Sequence, residues 1–92
     1  MDISYREREK RWLKDHPLRQ WRMKNDLFLK DLGGALGVGY HTIFRWENGM
    51  SAPNKDQVAA LVKVTENDNL EQELQEWVDR RPVLGKEQDG DQ

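Results

Sequence analysis

An apolar pattern with one break in its period, Leu32, Leu36, Val38, Ile43 and Trp46, constrains this chain more than any other feature in it. The residues are spaced by four, two, five and three positions, so a helical spacing stops for one short step and then resumes. Two helices joined by a tight turn satisfy that pattern. Gly37 is placed to end the first helix, because a left-handed residue there satisfies the last carbonyls and glycine adopts it without a Cβ clash. Gly39 lets the chain re-enter a helix at once. Gly33 falls where the two helices would touch, and a small residue permits close crossing despite a helix-propensity cost of ~1 kcal/mol relative to Ala. A generic helical hairpin is the plain alternative; it has to explain a small residue, a turn glycine and five apolar positions coinciding.

The segment from Leu18 to Val62, LRQWRMKNDLFLKDLGGALGVGYHTIFRWENGMSAPNKDQVAALV, combines L-G-V, T-I-x-R-W-E-N-G and a following Pro. Taken together these elements resemble the XRE family of phage Cro- and repressor-type DNA-binding domains, over about half of the chain. The resemblance implies that a helix near residues 40–48 lies in the major groove of double-stranded DNA, and that a homodimer reads a two-fold-related operator. It also implies that Arg22 pairs with Glu47 and is oriented toward the DNA backbone. Tyr40, His41 and Arg45 align with the family's base-reading positions, and Asn48 with a backbone contact.

Two positions depart from the family. Phe28 stands at the usual Ser/Thr cap of the second helix, expected over residues 27–36, and Leu29 stands at the usual phosphate-contacting Gln. Phe28 has no oxygen to offer a free backbone donor, a bond worth ~1 kcal/mol. Asp26 is therefore expected to cap a helix that starts one residue earlier, and Lys30 to take over the phosphate contact beside the helix-start amides.

Helical geometry turns Ile43 and Trp46 inward and leaves Tyr40, His41, Phe44 and Arg45 outward. Four such side chains left in water together call for a partner. Arg45 can bond guanine O6 and N7, His41 can donate or accept at a base edge, Phe44 can pack on a thymine methyl, and Tyr40 can reach a base or a phosphate. The plain alternatives are an ordinary surface histidine at 41 and, for Phe44, packing on another part of the chain such as the N-terminal helix. Asn54 and Gln57 have the spacing of a capping box that opens a further helix. Ser51, Asn54 and Lys55 are candidates for phosphate contacts at its start.

The formal net charge of −2 argues at first against a nucleic-acid partner, but the charge is not evenly spread. Residues 1–63 hold 12 Lys plus Arg against 8 Asp plus Glu, a balance of +4, whereas residues 64–92 hold 3 against 9, a balance of −6. The excess of positive charge lies with the motif. With only 36% hydrophobic residues, the four Trp must supply much of the buried area of one small domain. Neither a membrane-spanning run of ~20 apolar residues nor a signal-peptide core is present, so a cytoplasmic protein is expected. The chain has no Cys, which excludes disulfides and thiolate metal sites, and its two histidines stand far apart, so no metal or cofactor is expected.

The chain divides on this reading into a charged N-terminal helical extension over 1–16, a helix-turn-helix domain over 17–66, an amphipathic helix over 67–81 and a disordered acidic tail over 82–92. The N-terminal helix has a thin apolar stripe and is expected either to pack only through Trp12 and Leu13 or to be partly frayed. In the amphipathic helix Leu70, Leu74, Trp77 and Val78 share a face, which either covers the domain core or meets its mate across a two-fold axis. The fold expected is all-α, a compact helix-turn-helix bundle of about five helices with an extra N-terminal helix. No arrangement of nucleophile, base and orienting group suggests an enzyme. The function implied by the resemblance is a sequence-specific regulator of transcription. The competing class is a protein-interaction module of antitoxin or co-activator type on the same fold, which Tyr40, Phe44, the missing Gln and the acidic C-terminal third would suit.

Overall fold

A computed structural model describes residues 2–83, with side chains from residue 5 onward. It is all-helical over that range: α1 (Asp2–Lys14), α2 (Pro17–Lys24), α3 (Leu29–Leu36), α4 (Tyr40–Glu47), α5 (Lys55–Thr65) and α6 (Leu70–Asp79). Most of the acidic tail expected over 82–92 lies outside the described residues.

Local chemistry accounts for most of the boundaries. At four helix ends a left-handed residue lets a following amide reach back to the last turn: Asp26, Gly37, Gly49 and Glu66 have φ of 57°, 73°, 71° and 55°. Two of these corrected the expected boundaries or added to them. Asp26 terminates α2, with Leu27 N donating to Arg22 O at 3.0 Å, and so cannot cap α3 as expected. The cap of α3 is instead reversed: Phe28 supplies only its backbone N–H, which donates to the Asp31 carboxylate at 2.8 Å. Gly49 plays for α4 the part that Gly37 plays for α3, with Met50 N donating to Arg45 O at 2.9 Å. At α5 the capping box is complete, since Asn54 N donates to Gln57 Oε1 and Gln57 N to Asn54 Oδ1, both at 2.8 Å.

One core cluster joins the helices: Leu18 from α2, Leu32 from α3, Ile43 and Trp46 from α4, Leu61 from α5 and Leu70 from α6 are all buried. Trp21, Leu29 and Leu74 pack against it half-buried. Gly33 is needed for closeness: a Cβ there would lie 2.7 Å from Val38 O. Its tight neighbour is thus the backbone of the turn rather than a residue of the crossing helix.

A second, aromatic cluster holds α1 to the body. The Trp12 and Trp77 rings stack with centroids 3.7 Å apart, Trp12 Nε1 donates to Trp77 O at 2.6 Å, and Trp77 Nε1 donates to Trp12 O. Trp12 also lies so close to Gly49 that a Cβ there would meet its ring at 2.8 Å, which makes Gly49 necessary for space as well as for φ. Arg81 closes the group, with its guanidinium 5.0 Å from the Trp12 ring centre and Nη1 donating to Gly49 O.

His16 sits edge-on to Trp77, with ring centres 4.4 Å apart, and caps α2 by accepting from Leu18 N at 3.1 Å through Nδ1. Burial first, and the Arg19 charge second, lower its pKa to about 4. The unfolded chain binds the proton near the ordinary value of ~6.5, so His16 favours folding fully above that pH and loses its contribution as pH falls toward 4. Stability should accordingly drop by about 2 kcal/mol between pH 7 and pH 5. Denaturant unfolding at the two pH values checks this, with His16→Asn as the control that keeps a capping acceptor and flattens the dependence.

Candidate nucleic-acid interface

The turn between α3 and α4 is three residues long, Gly37 to Gly39, and is fixed by Val38 N donating to Gly33 O at 2.9 Å. That bond sets the angle at which α4 leaves α3. With Ile43 and Trp46 buried beneath it, α4 turns the opposite face outward, where Tyr40, His41, Phe44 and Arg45 are all exposed. Tyr40 and His41 lie side by side, their ring centres 4.0 Å apart. Phe44 is 46% exposed.

The only carboxylate of α4, Glu47, is withdrawn from that face. It is 1% exposed and takes two bonds from Arg22 in a fork, Nε to Oε2 at 2.8 Å and Nη2 to Oε1 at 2.9 Å. The pairing implied by the resemblance is therefore present. Its hydrogen bonds raise the Arg22 pKa further above the ordinary guanidinium value. Arg22 Nη1 also donates to Leu27 O at 2.9 Å, so the same side chain ties α4 to the segment that precedes α3. Arg19, which the motif gave no reason to single out, adds a second cation: its Nε is 3.8 Å from Glu47 Oε1 and its Nη2 donates to Glu47 O. The signal was available in its position three residues before Arg22, on the same helix face.

Of the other residues expected to meet the DNA backbone, Lys30, Ser51, Asn54 and Lys55 are exposed. Lys30 is the second residue of α3, Ser51 lies in the loop after α4, Asn54 caps α5 and Lys55 opens it. Asn48 is half-buried and its side-chain amide donates to Phe44 O at 2.8 Å. Arg22 is set apart from this group, its guanidinium committed beneath the end of α4. Leu29, at the position of the family's Gln, turns into the core.

The four residues considered for a dimer contact divide differently. Leu70 and Trp77 are 1% and 3% exposed, Leu70 in the core and Trp77 against Trp12, so both are consumed within one chain. That corrects their expected role in a two-fold contact: α1 and the core already cover the face they occupy. Leu74 is half-buried against the core, and Val78 alone remains 49% exposed. No helix among the described residues is long and apolar enough to cross a membrane.

Two helices locked at a glycine turn, the second with its inner face buried and its outer face bare, define a helix-turn-helix DNA-binding regulator. Residues 18–67 match the family described as Helix-turn-helix, and the chain belongs to that family in its XRE type. Comparison with curated proteins and with solved structures gives no significant match.

Proposed function

We propose that the protein regulates transcription by reading a specific double-stranded DNA sequence, as a phage-type repressor does, with α4 in the major groove. The observation that carries this reading is the outer face of α4. It presents Tyr40, His41, Phe44 and Arg45 to solvent while its only carboxylate is buried and neutralised by two arginines. Arg45 is assigned to guanine and His41 to a base edge, Phe44 to a thymine methyl and Tyr40 to a base or phosphate. Lys30, Asn48, Ser51, Asn54 and Lys55 are assigned to the backbone, and Arg22 to orienting the helix from behind. The unit spanning 17–66 does the reading in the cytoplasm, braced by 1–16 and 67–81.

Arg45→Ala is expected to weaken binding to a selected duplex by about 1 to 3 kcal/mol and to relax preference at one base pair. Lys55→Ala should weaken all duplexes similarly. Site selection from a random pool, followed by titration of both variants on the selected and a random duplex, decides it; equal losses for Arg45→Ala on both would falsify the base-reading role.

The reading includes a homodimer on a two-fold-related operator, because one eight-residue helix makes few base contacts and two half-sites multiply them. With Leu70 and Trp77 buried, its contact involves other surface, of which Val78 is one exposed member. Sedimentation of the protein alone and on its selected duplex checks the stoichiometry, and a single protomer per duplex removes the two-fold element.

The protein-interaction alternative rests on Phe28 and Met50, exposed at 69% and 66% beside the same helices. Binding to random duplex at low salt that falls steeply as salt rises favours the DNA reader, and its absence favours the protein partner.

A further inference from the structure

Between α5, α6 and the loop that follows α4 lies a half-open cavity of about 220 Å³. Its walls are mainly apolar, formed by Trp46 from the back of α4, Val58 from α5, and Leu74 and Trp77 from α6. Lys55 and Glu71, both exposed, stand at its mouth.

His16 completes the wall and is 2% exposed. Because Nδ1 accepts from Leu18 N, the proton of the neutral ring sits on Nε2. No oxygen or nitrogen among the described residues accepts from that Nε2–H. Nε2 is not among the fully buried polar atoms that lack a partner, so it is open to water at the cavity wall, and an acceptor brought from outside can take that water's place.

We propose that this cavity binds a flat, uncharged aromatic molecule of one or two rings, whose single hydrogen-bond acceptor takes the His16 Nε2–H. Two indoles in the wall favour an aromatic occupant through stacked or edge-on contact. The volume sets its size, since it exceeds the ~150 Å³ of a cavity that holds benzene and falls below the ~300 Å³ at which pockets for larger ligands begin. The mouth sets its charge: an ionised group gains from one of Lys55 and Glu71 what it loses to the other, so a neutral molecule enters at least cost. The cavity also has Ser51 in its wall, so the occupant sits directly behind the loop assigned above to the DNA backbone.

The test compares quinoline, which has one ring-nitrogen acceptor, with naphthalene, which has the same shape and none. Each is titrated into the full 92-residue protein while the indole signals of Trp46 and Trp77 and the ring signals of His16 are followed by NMR. Quinoline should shift all three saturably, and naphthalene should bind about tenfold more weakly, the upper range for one neutral hydrogen bond. Ala52→Phe, at the exposed lip of the cavity, should abolish both responses without changing the melting temperature. Unmoved Trp46 and Trp77 signals at millimolar quinoline overturn the site, and equal affinities for the two probes overturn the role of His16. The measurement uses no DNA, so it stands or falls separately from the function proposed above.

Discussion

Trp77→Ala is expected to lower the stability of the protein by about 3 to 5 kcal/mol, the range for removing a buried aromatic side chain that its surroundings cannot collapse around. Trp77 is 3% exposed, stacks face to face on Trp12 and meets His16 edge-on, so three elements lose packing in one substitution. The Trp12 carbonyl also loses one of its two donors and keeps only Asp15 N at 3.2 Å. A domain of this size has a total stability of only about 5 to 10 kcal/mol, so the loss removes from about a third to all of it. Trp77→Phe keeps one six-membered ring but loses the rest of the indole with its N–H, and should fall between the two. Thermal unfolding at several protein concentrations checks both the size and the origin of the effect. A drop independent of concentration fits packing within one chain, while a drop that vanishes at high concentration would return Trp77 to an interface between copies. Limited proteolysis gives a second measure, since α1 is held at Trp12 and should be cut first.

The second large effect is expected at the Arg22–Glu47 pair. Arg22→Ala should cost about 3 to 5 kcal/mol, the range for leaving one partner of a buried ion pair behind. The stranded carboxylate at Glu47 is almost inaccessible, and Arg19 at 3.8 Å is too far to replace two bonds shorter than 3 Å. Glu47→Ala should cost less, because the Arg22 side chain is 12% exposed, keeps its bond to Leu27 O and can turn toward water. The double variant should be more stable than the sum of the two losses predicts, by about 1 to 3 kcal/mol. Denaturant unfolding of the four proteins measures that coupling, and strict additivity would mean that the pair does not stabilise the end of α4. DNA affinity should fall in both single variants even where folding is restored by cold or osmolyte, since α4 would lose the anchor that fixes its angle.

These effects fall on contacts that differ greatly in how visible they are in the amino-acid order. The Arg22–Glu47 pair was legible because a recurrent motif places those residue types at that separation. Exposure of Tyr40, His41, Phe44 and Arg45 followed from helical periodicity once Ile43 and Trp46 were known to face inward. The Asn54–Gln57 cap was legible for a more local reason, since both bonds close within four residues. Asp26 shows the limit of local reasoning. Aspartate suits a helix start, and it also tolerates the left-handed region that ends one; α2 and α3 compete for the same residue, and the ending won.

Residue order by itself determined where helices could form, where glycine had to turn the chain and which face of each helix was apolar, because those properties depend on neighbours a few positions away. What it left open was which apolar face meets which. Trp12 and Trp77 are 65 residues apart, and no period or cap connects them; their pairing exists because the folded body brings the ends of α1, α4 and α6 to one point at Gly49. The same packing decided that Trp77 would be buried within one chain and that His16 would line a cavity. Such outcomes depend on the surface left over after every other element has packed, a quantity that exists only in three dimensions.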